Sequence, residues 1–98
     1  MAHVIYAKGA LADLARLTDF LLEEEPAAAL ETVDLITEAV RVLANHPLIG
    51  RSAEQGLREL VISRGRSGYI ALYSYELAHD TVLVLSVRHQ REAGYLPE

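Results

Sequence analysis

The sequence predicts an α+β domain of two layers in the order β-α-α-β-β-β, a helical hairpin packed on a mostly antiparallel four-stranded sheet. Three observations predict it. Two stretches of helical apolar spacing are separated by a single proline, three short apolar runs fill the second half between turn-like links, and a β-branched, aromatic segment precedes them all. At 98 residues the chain makes one domain, residues 1–98, whose core suffices without staples. It has no cysteine, so disulfides and thiolate metal sites are excluded and stability must come from packing.

Residues His3–Ala7 (HVIYA) suit a strand. From Ala10 to Glu24, Leu11, Leu14, Leu17, Leu21 and Leu22 recur at three- and four-residue steps with Asp13, Arg16, Asp19 and Glu23 between them, the pattern of an amphipathic helix. Pro26 cannot continue that helix but fits the first turn of the next, and Glu23–Glu25 lie where a helix dipole favours negative charge. The second helix carries Leu30, Val33, Ile36, Val40 and Leu43 as its apolar set, with Asn45 expected as a left-handed cap and Pro47 as the stop.

Pro47–Gly56 (PLIGRSAEQG) lacks periodicity and is expected to be a mobile loop. Strands are predicted at Leu57–Ser63, Gly68–Tyr75 and Thr81–Arg88, joined by RGRS and ELAHD, links short enough for hairpins. Simple alternation in the last strand puts Leu83, Leu85 and Val87 on one face and Val82, Val84, Ser86 and Arg88 on the other.

Net charge is −5, which argues against non-specific binding to nucleic acid. All the acidity belongs to the first half, where Lys8, Arg16 and Arg41 stand against eight acids; residues 51–98 balance six arginines with six acids. The apolar run VLVLSV is far shorter than the roughly 20 residues of a membrane span, and MAHVIYAK is no signal peptide. A cytoplasmic protein without membrane association is expected.

Standard catalytic signatures are missing: GRSG at 65–68 reads as a hairpin turn, and His3, His46, His79 and His89 form no HxH or HxxxH pair for a metal. No metal or cofactor is expected. The best functional clue is the segment 82–95, VLVLSVRHQREAGY, in which a strand gives way to Arg88, His89, Arg91 and Tyr95. Cations, an imidazole and a phenol near one sheet edge can bind phosphate, stabilise developing charge, or pair with a partner's carboxylates. Alternatively, the arginines pair with surface acids and Tyr95 packs the tail on the sheet.

These strings also carry a resemblance. ALADLARLTDFL, PAAALETVDLITEAVRVLANHPLIGR, LRELVIS, SGYIALYSY and VLVLSVRHQREAGY, in this order over nearly the whole chain, resemble the RelE/ParE toxin superfamily of bacterial type II toxin–antitoxin systems. The resemblance implies a growth-inhibiting toxin neutralised by a cognate antitoxin, in a hetero-oligomeric complex. RelE-like members cut ribosome-bound messenger RNA without a metal, using cations on the middle strands with a further arginine and tyrosine near the C-terminus. Arg88 or Arg91 and Tyr95 match that last pair and would be the catalytic residues of a nuclease, yet Val61, Ser63 and Ile70 bring no cation and Lys8 is the only lysine. The resemblance is therefore more ParE-like, implying a DNA gyrase inhibitor that binds its target through Arg88, His89, Arg91 and Tyr95 with the hairpin arginines Arg64 and Arg66. A ribosome-dependent endoribonuclease and a non-toxic partner-binding member, such as a decayed plasmid-stability protein, are the alternatives.

Overall fold

A computed structural model of the chain describes residues 1–64 and 67–90. Strand β1 (His3–Tyr6) leads into helices α1 (Lys8–Glu24) and α2 (Pro26–Arg41), linked by Glu25 alone. Pro26 opens α2, where an amide donor has no helical partner, while the Glu25 amide closes α1 on the Leu21 carbonyl at 2.7 Å. A 3₁₀ turn at Val42–Ala44 extends α2. Asn45 keeps right-handed angles (φ −99°, ψ −20°), so it is not the left-handed cap expected; the His46 and Asn45 amides close on Val42 instead.

The remaining strands are β2 (Arg51–Ser52), β3 (Arg58–Arg64), β4 (Ser67–Glu76) and β5 (Thr81–His89), in the sheet order β1-β5-β4-β3-β2. All neighbours are antiparallel except β1 and β5, which run parallel from His3–Thr81 to Tyr6–Val84. The sheet thus has five strands, not four. The extra one lies in the segment expected to be a mobile loop, which is instead tied down. Arg51 and Ser52 pair with Glu59 and Arg58. The Tyr73 hydroxyl donates to the Pro47 carbonyl at 2.8 Å and accepts the Gly50 amide at 2.9 Å, and Arg58 donates to the carbonyls of Leu48 and Gly50. A Cβ on Gly50 would come within 2.7 Å of the Glu59 carbonyl, so only glycine lets the strap lie this close to β3.

The helices cover one face of the sheet. Leu17, Ile36, Val40 and Leu43 bury against Ile62, Tyr69, Ala71, Tyr73, Val82, Val84 and Val87 in one cluster. Two details of the predicted stripes are corrected. Leu30 is 71 % exposed, and Ala29 and Thr32 take the buried positions on α2; Leu11 and Leu22 also face outward. The α2 stripe is turned because it packs beside α1 as well as on the sheet, and small residues suit the closer approach.

The larger correction concerns β5. Leu72 pairs with Ser86 but Tyr73 pairs with Val84, so Leu85 is an extra residue, a β-bulge. Val82, Val84, Val87 and His89 therefore share the register of Tyr75, Tyr73, Ala71 and Tyr69 on the helix side, while Leu83, Ser86 and Arg88 lie on the outer face. Simple alternation, which grouped Arg88 with Val82 and Val84, fails at this one residue.

Candidate functional site

The bulge decides what the end of β5 presents. Arg88 stands exposed on the outer face, opposite Ile70 of β4, which in turn pairs with Val61 of β3. It makes no hydrogen bond or ion pair with another described residue. His89 turns to the other face, where its ring meets Tyr69 edge-on with centroids 5.2 Å apart and planes at 80°. The two residues expected to act together therefore point to opposite sides of the sheet. The backbone of Arg64 ends β3 opposite Ser67, at the same end of the sheet as Tyr69 and His89. Arg66, Arg91 and Tyr95 lie outside the described residues.

The outer face around Arg88 is mostly apolar or uncharged. In register across β3, β4 and β5 run Glu59, Leu72 and Ser86, then Val61, Ile70 and Arg88. Ile70 is 7 % exposed and Val61 41 %. Gln90 folds over Gly68, occupying the place a side chain there would need. Farther along, Ile5, Leu83 and Ser74 form another row, with Ile5 51 % exposed. Glu59 is the acid in this set, and Arg51 holds it at 2.9 Å. Beside Arg88, among the described residues, no imidazole, carboxylate or amine stands ready to take or give a proton.

Two other arginines of the second half, Arg51 and Arg58, are engaged elsewhere than at Arg88. Arg58 is spent on the carbonyls of the 47–50 strap and Arg51 on Glu59. Their structural roles were not visible in the sequence, because each depends on a partner eight to ten residues away across a turn. Asp13 and Tyr73 went unnoticed for the same reason: Asp13 Oδ2 accepts the Val87 amide at 2.9 Å, 74 residues distant in sequence.

A concavity lies at the β1 edge of the sheet. An open groove of about 420 Å³ runs between β1 and the end of α2, lined by Ala2, Val4, Tyr6, Thr37, Val40 and Arg41. Burial pushes the Tyr6 hydroxyl above its ordinary pKa, with Arg41 opposing, so the phenol stays neutral and able to donate. Among the described residues no helix is long and apolar enough to cross a membrane.

A helical hairpin on a mostly antiparallel sheet, with a parallel first-to-last strand pair, is the architecture of small bacterial toxins. The chain superposes on the chromosomal ParDE toxin–antitoxin system of P. aeruginosa with a TM-score of 0.76 at 25 % identity, covering 90 % of this chain and 95 % of that one. It also matches the RelBE2 toxin–antitoxin complex of Mycobacterium tuberculosis, with a TM-score of 0.60, 26 % identity and coverages of 90 % and 96 %. Among curated relatives, Toxin RelE3 of Caulobacter vibrioides is 38 % identical over 82 % of this chain and 85 % of its own length. Residues 4–94 match the family described as ParE toxin of the type II toxin–antitoxin system parDE. The chain belongs to that family, within the wider ParE/RelE superfamily of toxins.

Proposed function

We propose that this toxin arrests growth by binding DNA gyrase rather than by cutting RNA, and that a cognate antitoxin neutralises it. One observation carries the choice: the row that holds Arg88 continues into Ile70 and Val61. Cleaving RNA without a metal needs groups that move a proton from the ribose hydroxyl and stabilise charge on phosphate, and these must lie within hydrogen-bond reach of one another. Val61 and Ile70 supply neither, whereas the exposed Arg88 and Val61, on either side of the buried Ile70, suit a protein surface, where arginine and large apolar groups anchor contacts. The similarity to Toxin RelE3 supports a second reading, ribosome-dependent cleavage of messenger RNA.

The readings separate experimentally. Inducing the chain alone in bacteria should arrest growth, and co-expressed antitoxin should restore it; growth without arrest would point to a non-toxic, partner-binding member. Purified toxin with gyrase and supercoiled DNA should block supercoiling or trap cleaved complexes. No effect on gyrase together with cleavage of ribosome-bound message would sink the proposal. Alanine at Arg88, Arg91 and Tyr95 should weaken toxicity with expression unchanged.

For the antitoxin, the ParDE and RelBE2 assemblies support a toxin that works as one half of a complex. The groove between β1 and α2 offers the half-buried Val4 as an apolar contact and Arg41 and Tyr6 as polar ones, a combination an amphipathic segment can fill. The two proteins should co-purify at moderate salt.

A further inference from the structure

Strand β1 is only four residues long and covers β5 no farther than Val84; its last contribution is the bond from the Ala7 amide, just past its end, to the Val84 carbonyl. Beyond that point β5 continues to His89 with a strand on one side only. Val87 falls in this stretch and is fully buried, so its amide has no water to turn to. The partner it finds is the Asp13 carboxylate of α1, a side chain only 16 % exposed and steadied by Arg16 at 3.7 Å. One turn earlier on the same helix face, Gly9 sits so close to the bulge that a Cβ would meet the Leu85 carbonyl at 3.1 Å. Helix α1 therefore grips β5 at two points, on the bulge and two residues after it.

We propose that Asp13 is a positioning residue: with Gly9 it fixes the register of β5 past the bulge, and so decides that Arg88 faces outward. Without the extra residue at Leu85, everything beyond would slip by one, setting Val87 opposite Ile70 and Arg88 opposite Tyr69. That register would carry a guanidinium under the helices, which burial opposes strongly. Loss of the Asp13 bond thus leaves the strand end no good alternative pairing, and it frays. Arg88 then loses the fixed geometry a contact residue needs. The functional consequence rests on reading Arg88 as a target contact; the structural one does not.

The test uses the full chain. In Asp13→Ala, amide exchange at Val87 should speed up about tenfold or more relative to Val82, and cross-strand contacts between Arg88 and Ile70 should weaken in NMR spectra. Growth arrest should fall about tenfold in dose, a drop expected if an unfixed Arg88 binds its target that much more weakly. Asp13→Asn keeps an acceptor oxygen and should restore most of both. Leu17→Ala, a core truncation on the same helix, should lower the melting temperature without selectively speeding Val87 exchange. Unchanged Val87 exchange in Asp13→Ala would overturn the inference, as would toxicity that merely followed melting temperature across the three variants. If exchange responds as expected while Arg88→Ala remains fully toxic, Asp13 still positions the strand and the reading of Arg88 as a target contact fails instead.

Discussion

Tyr73 satisfies two backbone groups with one oxygen, the Pro47 carbonyl and the Gly50 amide, from a ring that is fully buried. Replacing it with phenylalanine keeps the ring and strands both partners, which costs about 1–3 kcal/mol when such groups cannot reach water. The denaturation midpoint of Tyr73→Phe should fall accordingly with an unchanged slope. Gly50→Ala should cost a similar amount for a different reason: its Cβ would collide with the backbone of Glu59, which has no room to yield. If both variants melted like the parent, the 47–52 strap would not be held as described. The Asp80 turn is built on the same local economy, its left-handed backbone (φ 47°) closing the β4–β5 link while its carboxylate accepts the Tyr75 hydroxyl at 2.6 Å. That hydrogen bond is what raises the Tyr75 pKa.

At the level of elements, burial rather than apolarity decides the effect of a substitution on the helices. Leu30→Lys should change stability by less than about 0.5 kcal/mol, because the side chain is already in solvent, whereas Ile36→Ala should cost about 2–5 kcal/mol. Chemical denaturation of the two variants checks the rotation of α2. Both helices and the three long strands were legible in the sequence, since each rests on a period of apolar residues that survives tertiary packing. What escaped were features set by a neighbour. The α2 stripe was read as Leu30, Val33, Ile36, Val40 and Leu43; the last three are buried as expected, but beside α1 the helix turns Ala29 and Thr32 inside in place of Leu30. The Leu85 bulge has no glycine or asparagine to announce it, and in TVLVLSVRH two apolar faces look alike until the helices cover one. The face of Arg88 was therefore misassigned from sequence even though its place at the end of the last strand was right. The apolar character of Val61 and Ile70, by contrast, needed no structure; only their alignment with Arg88 did.

For the molecule as a whole, charge is divided by layer. The helical hairpin carries Glu23, Glu24, Glu25, Glu31, Asp34 and Glu38 on exposed positions, while Arg51, Arg58, Arg64 and Arg88 belong to strands. A partner that approaches the hairpin meets a negative field, so association with a basic antitoxin segment should slow as ionic strength rises from tens of millimolar to physiological salt, with little change in dissociation. Stopped-flow or surface-binding kinetics at several salt concentrations would show it; an association rate indifferent to salt would place the antitoxin elsewhere. The pairing of β1 with β5 has a further consequence in time. The strand at the interior of the sheet, flanked by β1 and β4, is the last of the five to leave the ribosome. Until residues 81–89 emerge, β1 has no neighbour and the helices have only part of their floor, and this long-range closure is slow compared with local helix formation. The chain therefore completes its fold after most of it has been made, and a product cut short before β5 lacks both Arg88 and the strand that joins the two halves of the sheet.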